Sequence, residues 1–160
     1  MKTNLDRIDF EILAALQKEG RLSNKELAGQ VDLAPSSCLQ RVRKLRQAGV
    51  IRGTHAEIDP TAMGIRLQAL IAVRMQKHSR ELVDDFRDYV TSLDEVLSMY
   101  HVAGEHDFLV HVAVSDAESL RNLALDHFTT RKGVEQIETS LIFEHSQTWQ
   151  LPNFVDDDDE

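Results

Sequence analysis

A single cysteine, Cys38, in 160 residues leaves no internal disulfide to form, which fits a reducing compartment. No stretch is long and apolar enough to cross a bilayer. The longest, around 67-LQALIAV-73, falls far short, and the opening MKTNLDRIDF lacks an apolar core of signal-peptide length. The expected home is the cytoplasm, with no membrane partner. Also missing are a Gly-rich phosphate loop, a nucleophile elbow and any repeat at solenoid spacing, so catalysis is not expected. Low-complexity sequence is confined to the end, 156-DDDDE-160, which reads as a solvated, disordered tail.

The most informative absence is local. From Leu33 to Gly53 there is no acidic residue, while Arg41, Arg43, Lys44, Arg46 and Arg52 supply five cations in a chain of formal net charge -9. Residues 1–53 hold ten Lys/Arg against six Asp/Glu and the remainder eight against twenty-one, so the two parts carry +4 and -13. A basic module on an acidic chain points to a polyanion held by one domain and repelled by the other.

What is present in the basic part is helical. Leu5, Ile8, Ile12, Leu13 and Leu16 recur at helical spacing, with Asp6 as cap and Gly20 as stop. The pattern 23-SNKE-26 is a capping box that opens a short second helix carrying Leu27 and Val31. After the turn 32-DLA-34, Pro35 suits a first helical position, and a third helix runs to Gly49. On its wheel Cys38, Leu39, Val42 and Leu45 point inward; Ser36, Ser37, Gln40, Arg43 and Lys44 point out, with Arg41 at the flank. The segment 50-VIRGTHAEID-59 reads as extended and leads into Pro60 and Gly64, a hinge.

Beyond the hinge the periodicity changes. An apolar strand at 67–75 precedes a helix striped by Leu82, Val83, Phe86, Tyr89, Val90 and Leu93; strands at 96–103 and 108–115 flank the loop 104-GEHD-107 as a hairpin. Asp116 caps a second helix with Gly133 as its stop, and a last strand alternates Ile137, Thr139, Leu141 and Phe143. The class is therefore α+β: three N-terminal helices, then a βαββαβ ferredoxin-like sandwich with both helices on one sheet face. Apolar residues on both faces of the first three strands predict burial of the second face against another copy, hence a homodimer or larger assembly. The expected domains are 1–53, a linker at 54–65, the sandwich at 66–150 and the acidic tail at 151–160.

Capped short helix, tight turn and Pro-started basic helix make helix-turn-helix geometry, which lays the third helix in the major groove of double-stranded DNA. Ser36, Ser37, Gln40 and Arg41 are then candidates for base edges, while Arg43, Lys44, Arg46 and Arg52 suit phosphates. A merely solvated charged face remains the simpler alternative. In the hairpin loop, Gly104 permits inward-turned amides that can hold a carboxylate, and Asp107 offers an acceptor for an ammonium, a combination that suits an amino-acid zwitterion. Such loops also serve only to turn the chain. His101, His106 and His111 match no known metal-ligand spacing, so neither a metal nor another cofactor is expected.

The residues 5-LDRIDFEILAALQKEGRLSNKELA-28, 38-CLQRVRKLRQAGVIRG-53, 58-IDPTAMG-64 and 103-AGEHD-107 together resemble the Lrp/AsnC, or feast/famine, transcriptional regulators over nearly the whole chain. The resemblance implies a winged-type helix-turn-helix on a RAM/ACT-like sensing domain, and dimers that associate further, often to octamers. It implies an amino-acid effector bound by the loop Gly104, Glu105, His106 and Asp107, with Thr139 and Ser140 of a neighbouring dimer approaching. Where many members place Ser before the proline of the third helix, this chain has Ala34, which leaves Ser36 as the expected cap. Two other readings stay open: an effector-independent architectural DNA binder, and a small metabolic enzyme with a regulatory sandwich.

Overall fold

The computed structural model describes residues 5–76 and 79–155. Two compact units emerge among the described residues: one comprises 5–57 with 146–155, the other is Ile58–His145. The acidic tail 156–160 lies outside the described residues.

The first unit contains α1 (Arg7–Lys18), α2 (Asn24–Gln30) and α3 (Pro35–Gln47). Local chemistry sets each start. Asp6 accepts from the Asp9 amide at 2.9 Å and Asp9 accepts from the Asp6 amide at 3.3 Å, a reciprocal box built from two aspartates. Ser23 and Glu26 do the same for α2 at 3.3 and 2.8 Å. At the α2–α3 turn Asp32 takes φ 51°, a left-handed value that a short polar side chain tolerates, and the Leu33 amide reaches back to the Ala28 carbonyl at 2.9 Å. The α3 terminus closes the same way. Gly49 sits at φ 72°, and the amides of Val50 and Gly49 donate to the carbonyls of Leu45 and Arg46.

Ile12, Leu27, Ala28, Val31, Cys38, Val42 and Leu45 form the core beneath these caps. Cys38 is fully enclosed, and burial pushes its thiol pKa up, so it packs as a small apolar side chain. Leu39, expected inward, is instead 37% exposed, because it lies past the edge of the stripe made by Cys38, Val42 and Leu45. Ala34, not Ser36, is the N-cap of α3, and no side chain accepts from its first amides. Pro35 at the first helical position removes one of the amides that would need a partner. Val50 and Ile51 fold back on the Leu45 carbonyl, and residues 52–57 form no regular element and join no strand ladder among the described residues.

The second unit opens with a 3₁₀ turn (Pro60–Met63) capped by Asp59, then runs β1 (Leu67–Met75), α4 (Arg80–Val90), β2 (Val96–His101), β3 (Phe108–Val114), α5 (Ala117–Leu123) and β4 (Val134–Leu141). The strand order is β2-β3-β1-β4 with every neighbouring pair antiparallel, the expected βαββαβ sandwich. Alternation decides the faces. Ala69, Ile71, Val73 and Met75 of β1 and Phe108, Val110, Val112 and Val114 of β3 pack under Phe86, Val90, Leu120, Leu123 and Phe128 from the helical side. Phe86 holds the centre, 5.0 Å from Phe108 and 6.3 Å from Phe128 between ring centroids. A π-helical turn at Ala124–Thr129 extends α5, so the helical stretch ends at Thr130 and Gly133 belongs to the turn into β4. Strand β4 stops at Leu141, leaving Phe143 outside the ladder and 98% exposed.

On the other sheet face, register sets Leu70 opposite His111 and Ala72 opposite Leu109. Leu70, Ala72 and Leu109 are half-buried, and Tyr100 beside Leu109 is 56% exposed. His111 is buried there, accepting or donating to Gln68 at 2.9 Å, with the His145 ring edge-on at 5.4 Å. Burial, and secondarily His145, push the His111 pKa below the usual imidazole value.

Candidate DNA interface and effector loop

The outer face of α3 is set by what its inner face buries. With Cys38, Val42 and Leu45 in the core, Ser36, Ser37, Gln40, Arg43, Lys44 and Arg46 stand in solvent, as does Arg52 beyond the helix. No acidic side chain occupies the first turn of α3, and Lys44 and Arg46 in the last turn complement the helix dipole. Asp6, Ser37, Gln40, Arg41 and Lys44 line a hollow of about 320 Å³.

Arg41 is placed differently from its neighbours. Its Nη1 donates to Asp6 Oδ2 at 2.6 Å and to Asp9 Oδ1 at 2.8 Å, which ties α3 to the first turn of α1. The two carboxylates raise the Arg41 pKa, and the Asp9 amide, then Arg41, hold Asp6 below the ordinary carboxylate value. Sequence reasoning missed both aspartates as partners of α3, since they lie 35 and 32 positions away and α1 capping already accounts for them.

In the second unit the loop 104–107 closes the β2–β3 hairpin. Gly104 adopts φ 152°, a conformation L side chains rarely take, although the space beside it is open. Asp107 is braced rather than extended into solvent: its amide donates to the Val73 carbonyl at 2.8 Å, its carbonyl accepts from Val102 at 2.9 Å, and Oδ2 accepts from the Met75 amide at 2.7 Å. The loop's carboxylate therefore sits at the end of β1. Glu105 is exposed, and His106 Nε2 lies 3.7 Å from Glu138 Oε2. Within one chain the β4 side chain that meets the loop is thus Glu138, which sequence reasoning did not single out. Thr139 and Ser140 are exposed further along β4, in register with Ile71 and Leu70. The three histidines weighed as a metal set go to separate partners: His101 stacks on Phe108, His106 faces Glu138 and His111 bonds Gln68. Among the described residues no cluster of three His, Cys, Asp or Glu could hold a metal ion.

A helix with an outward polar-basic face and a separate sheet unit with a braced hairpin loop are the two features that the comparisons with known proteins address in turn. Residues 5–52 match the winged helix-turn-helix DNA-binding family and residues 68–148 the Lrp/AsnC ligand binding domain. The chain is 42% identical over 142 residues to the HTH-type transcriptional regulator AldR of Mycolicibacterium smegmatis, covering 89% of this chain and 83% of the relative. It is 33% identical over 141 residues to the leucine-responsive regulatory protein of Escherichia coli, covering 88% and 86%. A transcriptional regulator from Neisseria meningitidis, solved as an L-Met complex, superposes with TM-score 0.83 at 34% identity, covering 93% of this chain and 97% of that one. The chain belongs to the Lrp/AsnC family of transcriptional regulators. No described helix is long and apolar enough to cross a membrane.

Proposed function

We propose that this regulator reads DNA with α3 and changes its assembly and DNA affinity when an amino acid or close relative occupies the loop Gly104 to Asp107. The observation that carries the effector class is the likeness, over nearly the whole chain, to a regulator solved with L-Met. A loop of positive-φ glycine and anchored carboxylate supports it, as such a loop offers backbone donors and a negative end to a zwitterion. Ser36, Ser37 and Gln40, at the start of α3, face base edges; Arg43, Lys44, Arg46 and Arg52 hold phosphates. The half-buried apolar residues of the open sheet face pair the chain with a second copy, and dimers associate to an octamer, with Thr139 and Ser140 of a neighbouring dimer completing the pocket. Two α3 helices then read a pseudo-palindrome whose half-sites lie one turn, or a multiple, apart.

Effector and DNA must be reciprocally linked: if ligand changes DNA affinity by some factor, DNA changes ligand affinity by the same factor. Selection of bound genomic fragments with and without an amino-acid mixture tests all parts together. Enriched symmetric sites whose occupancy shifts with the mixture are expected; enrichment indifferent to every amino acid makes the protein an effector-independent architectural binder. Asp107→Asn, which retains an oxygen for the Met75 amide while removing the charge, should abolish the shift. A surviving response would move the ammonium site elsewhere.

A further inference from the structure

We infer that Arg41 is a positioning residue of the recognition helix, clamping α3 to the first turn of α1, and does not itself read bases. The inference rests on the assignment of α3 to DNA.

A single guanidinium nitrogen serves two carboxylates, at 2.6 Å to Asp6 and 2.8 Å to Asp9, and both belong to the reciprocal cap of α1. The two ends of that pair differ in exposure. The Asp9 side chain is only 8% exposed and the Asp6 side chain 54%. A buried carboxylate requires a cation, so withdrawing Arg41 toward a base would strand Asp9 without its counter-charge. Close packing of Cys38, Val42 and Leu45 sets which face of α3 points inward. The charge-assisted hydrogen bonds of Arg41 add a directional restraint at the helix flank, which resists the small rolling that packing leaves.

Geometry makes rolling consequential. Gln40 precedes Arg41, and Ser37 and Lys44 lie one turn to either side on the helix; all three line the same hollow as Asp6. A small rotation about the α3 axis displaces all of them together. The exposed flank of Asp6 has a further effect: it sets a carboxylate on the DNA side of the domain, where Arg41 screens it from the phosphates. Loss of Arg41 thus both frees the helix to roll and uncovers a negative charge.

Measuring affinity across every single base-pair change in a selected site distinguishes a clamp from a reader. The proteins compared are the full chain and its Arg41→Ala, Arg41→Lys, Asp9→Asn and Arg41→Ala/Asp9→Asn forms, at a temperature where circular dichroism shows each folded. A clamp predicts that Arg41→Ala and Asp9→Asn flatten preferences at several adjacent base pairs alike, by about fivefold or more. The double variant should be no worse than the poorer single one, Arg41→Lys should recover part of the profile, and the salt slope should shift by much less than the roughly 0.9 of a lost phosphate contact. Loss of preference at one base pair alone in Arg41→Ala, with Asp9→Asn unaffected, overturns the proposal, and so does uniform weakening with a slope shallower by about 0.9. Should Arg41→Ala not fold, Arg41→Lys and the exposed-side change Asp6→Asn decide it: a milder flattening at several adjacent positions is expected, and an unchanged profile in both overturns it. An unaltered protein that binds no duplex would instead overturn the assignment of α3 to DNA, and the clamp's role with it.

Discussion

The outer face of α3 and the loop at 104–107 are built in opposite ways. On α3 the chemistry is carried by exposed side chains, Gln40, Arg43 and Lys44 among them, standing on a helix fixed from behind by Cys38, Val42 and Leu45. In the loop the polar groups are fixed by the chain itself: the amide and carbonyl of Asp107 are tied to Val73 and Val102, and its carboxylate is tied to Met75. The first arrangement suits a long polyanion, which is met by many separate cations; the second suits one small molecule, which is met by a few fixed donors and acceptors. Composition divides the same way, with the cations gathered before residue 54 and the acids after it.

The sharpest way to press this contrast is through the cores that hold the two surfaces. Phe86→Ala removes a ring packed between Phe108 and Phe128 and should lower the stability of the sheet unit by about 3–5 kcal/mol in denaturant unfolding. A cost below about 1 kcal/mol would mean that the loop rests on a softer base than the packing implies. Gly104→Ala should cost about 1 kcal/mol or more although nothing crowds the new methyl, because φ 152° is the obstacle, and it should weaken effector response beyond that loss. In the helical unit, Ser23→Ala should cost about 1 kcal/mol by freeing the Glu26 amide, as read from thermal unfolding, and leave the effector response intact.

The smallest effect concerns pH. His111 is held neutral by burial, so the unfolded chain takes up a proton first, near the ordinary value of about 6.5. Stability of the sheet unit should therefore decline as pH falls below that point and level off once the folded imidazole also protonates. His111→Gln should flatten this part of the profile. The Asp6 carboxyl, held low by the Asp9 amide and Arg41, contributes stability that is present above its ordinary value of 3.8 and is lost only at more acid pH, in the helical unit.

Most of the architecture was legible because the signals are local. Asp6, Ser23 and Asp116 cap where side chains three residues apart can reach the backbone, and the change at Leu67 from helical spacing to a short apolar run marks the sheet. Where reading failed, the deciding partner was distant or absent. Leu39 has the right residue type for a core, but it lies past the edge of the stripe made by Cys38, Val42 and Leu45, and position on the helix outweighs residue type. The cation at position 41 reads as one more member of a basic face until α1 brings Asp6 and Asp9 beside it. Glu138 meets His106 only because β4 pairs with β1 at the sheet edge, a register that its own alternation does not reveal.

The direct test of the account is the salt dependence of duplex binding, followed by fluorescence anisotropy, for the unaltered chain and for Arg43→Ala/Lys44→Ala. Phosphate contacts from α3 predict a linear fall of log K with log salt, shallower by about 0.9 for each cation removed from a recognition helix. Identical slopes and affinities in the two proteins would contradict the assignment of α3 to the DNA backbone.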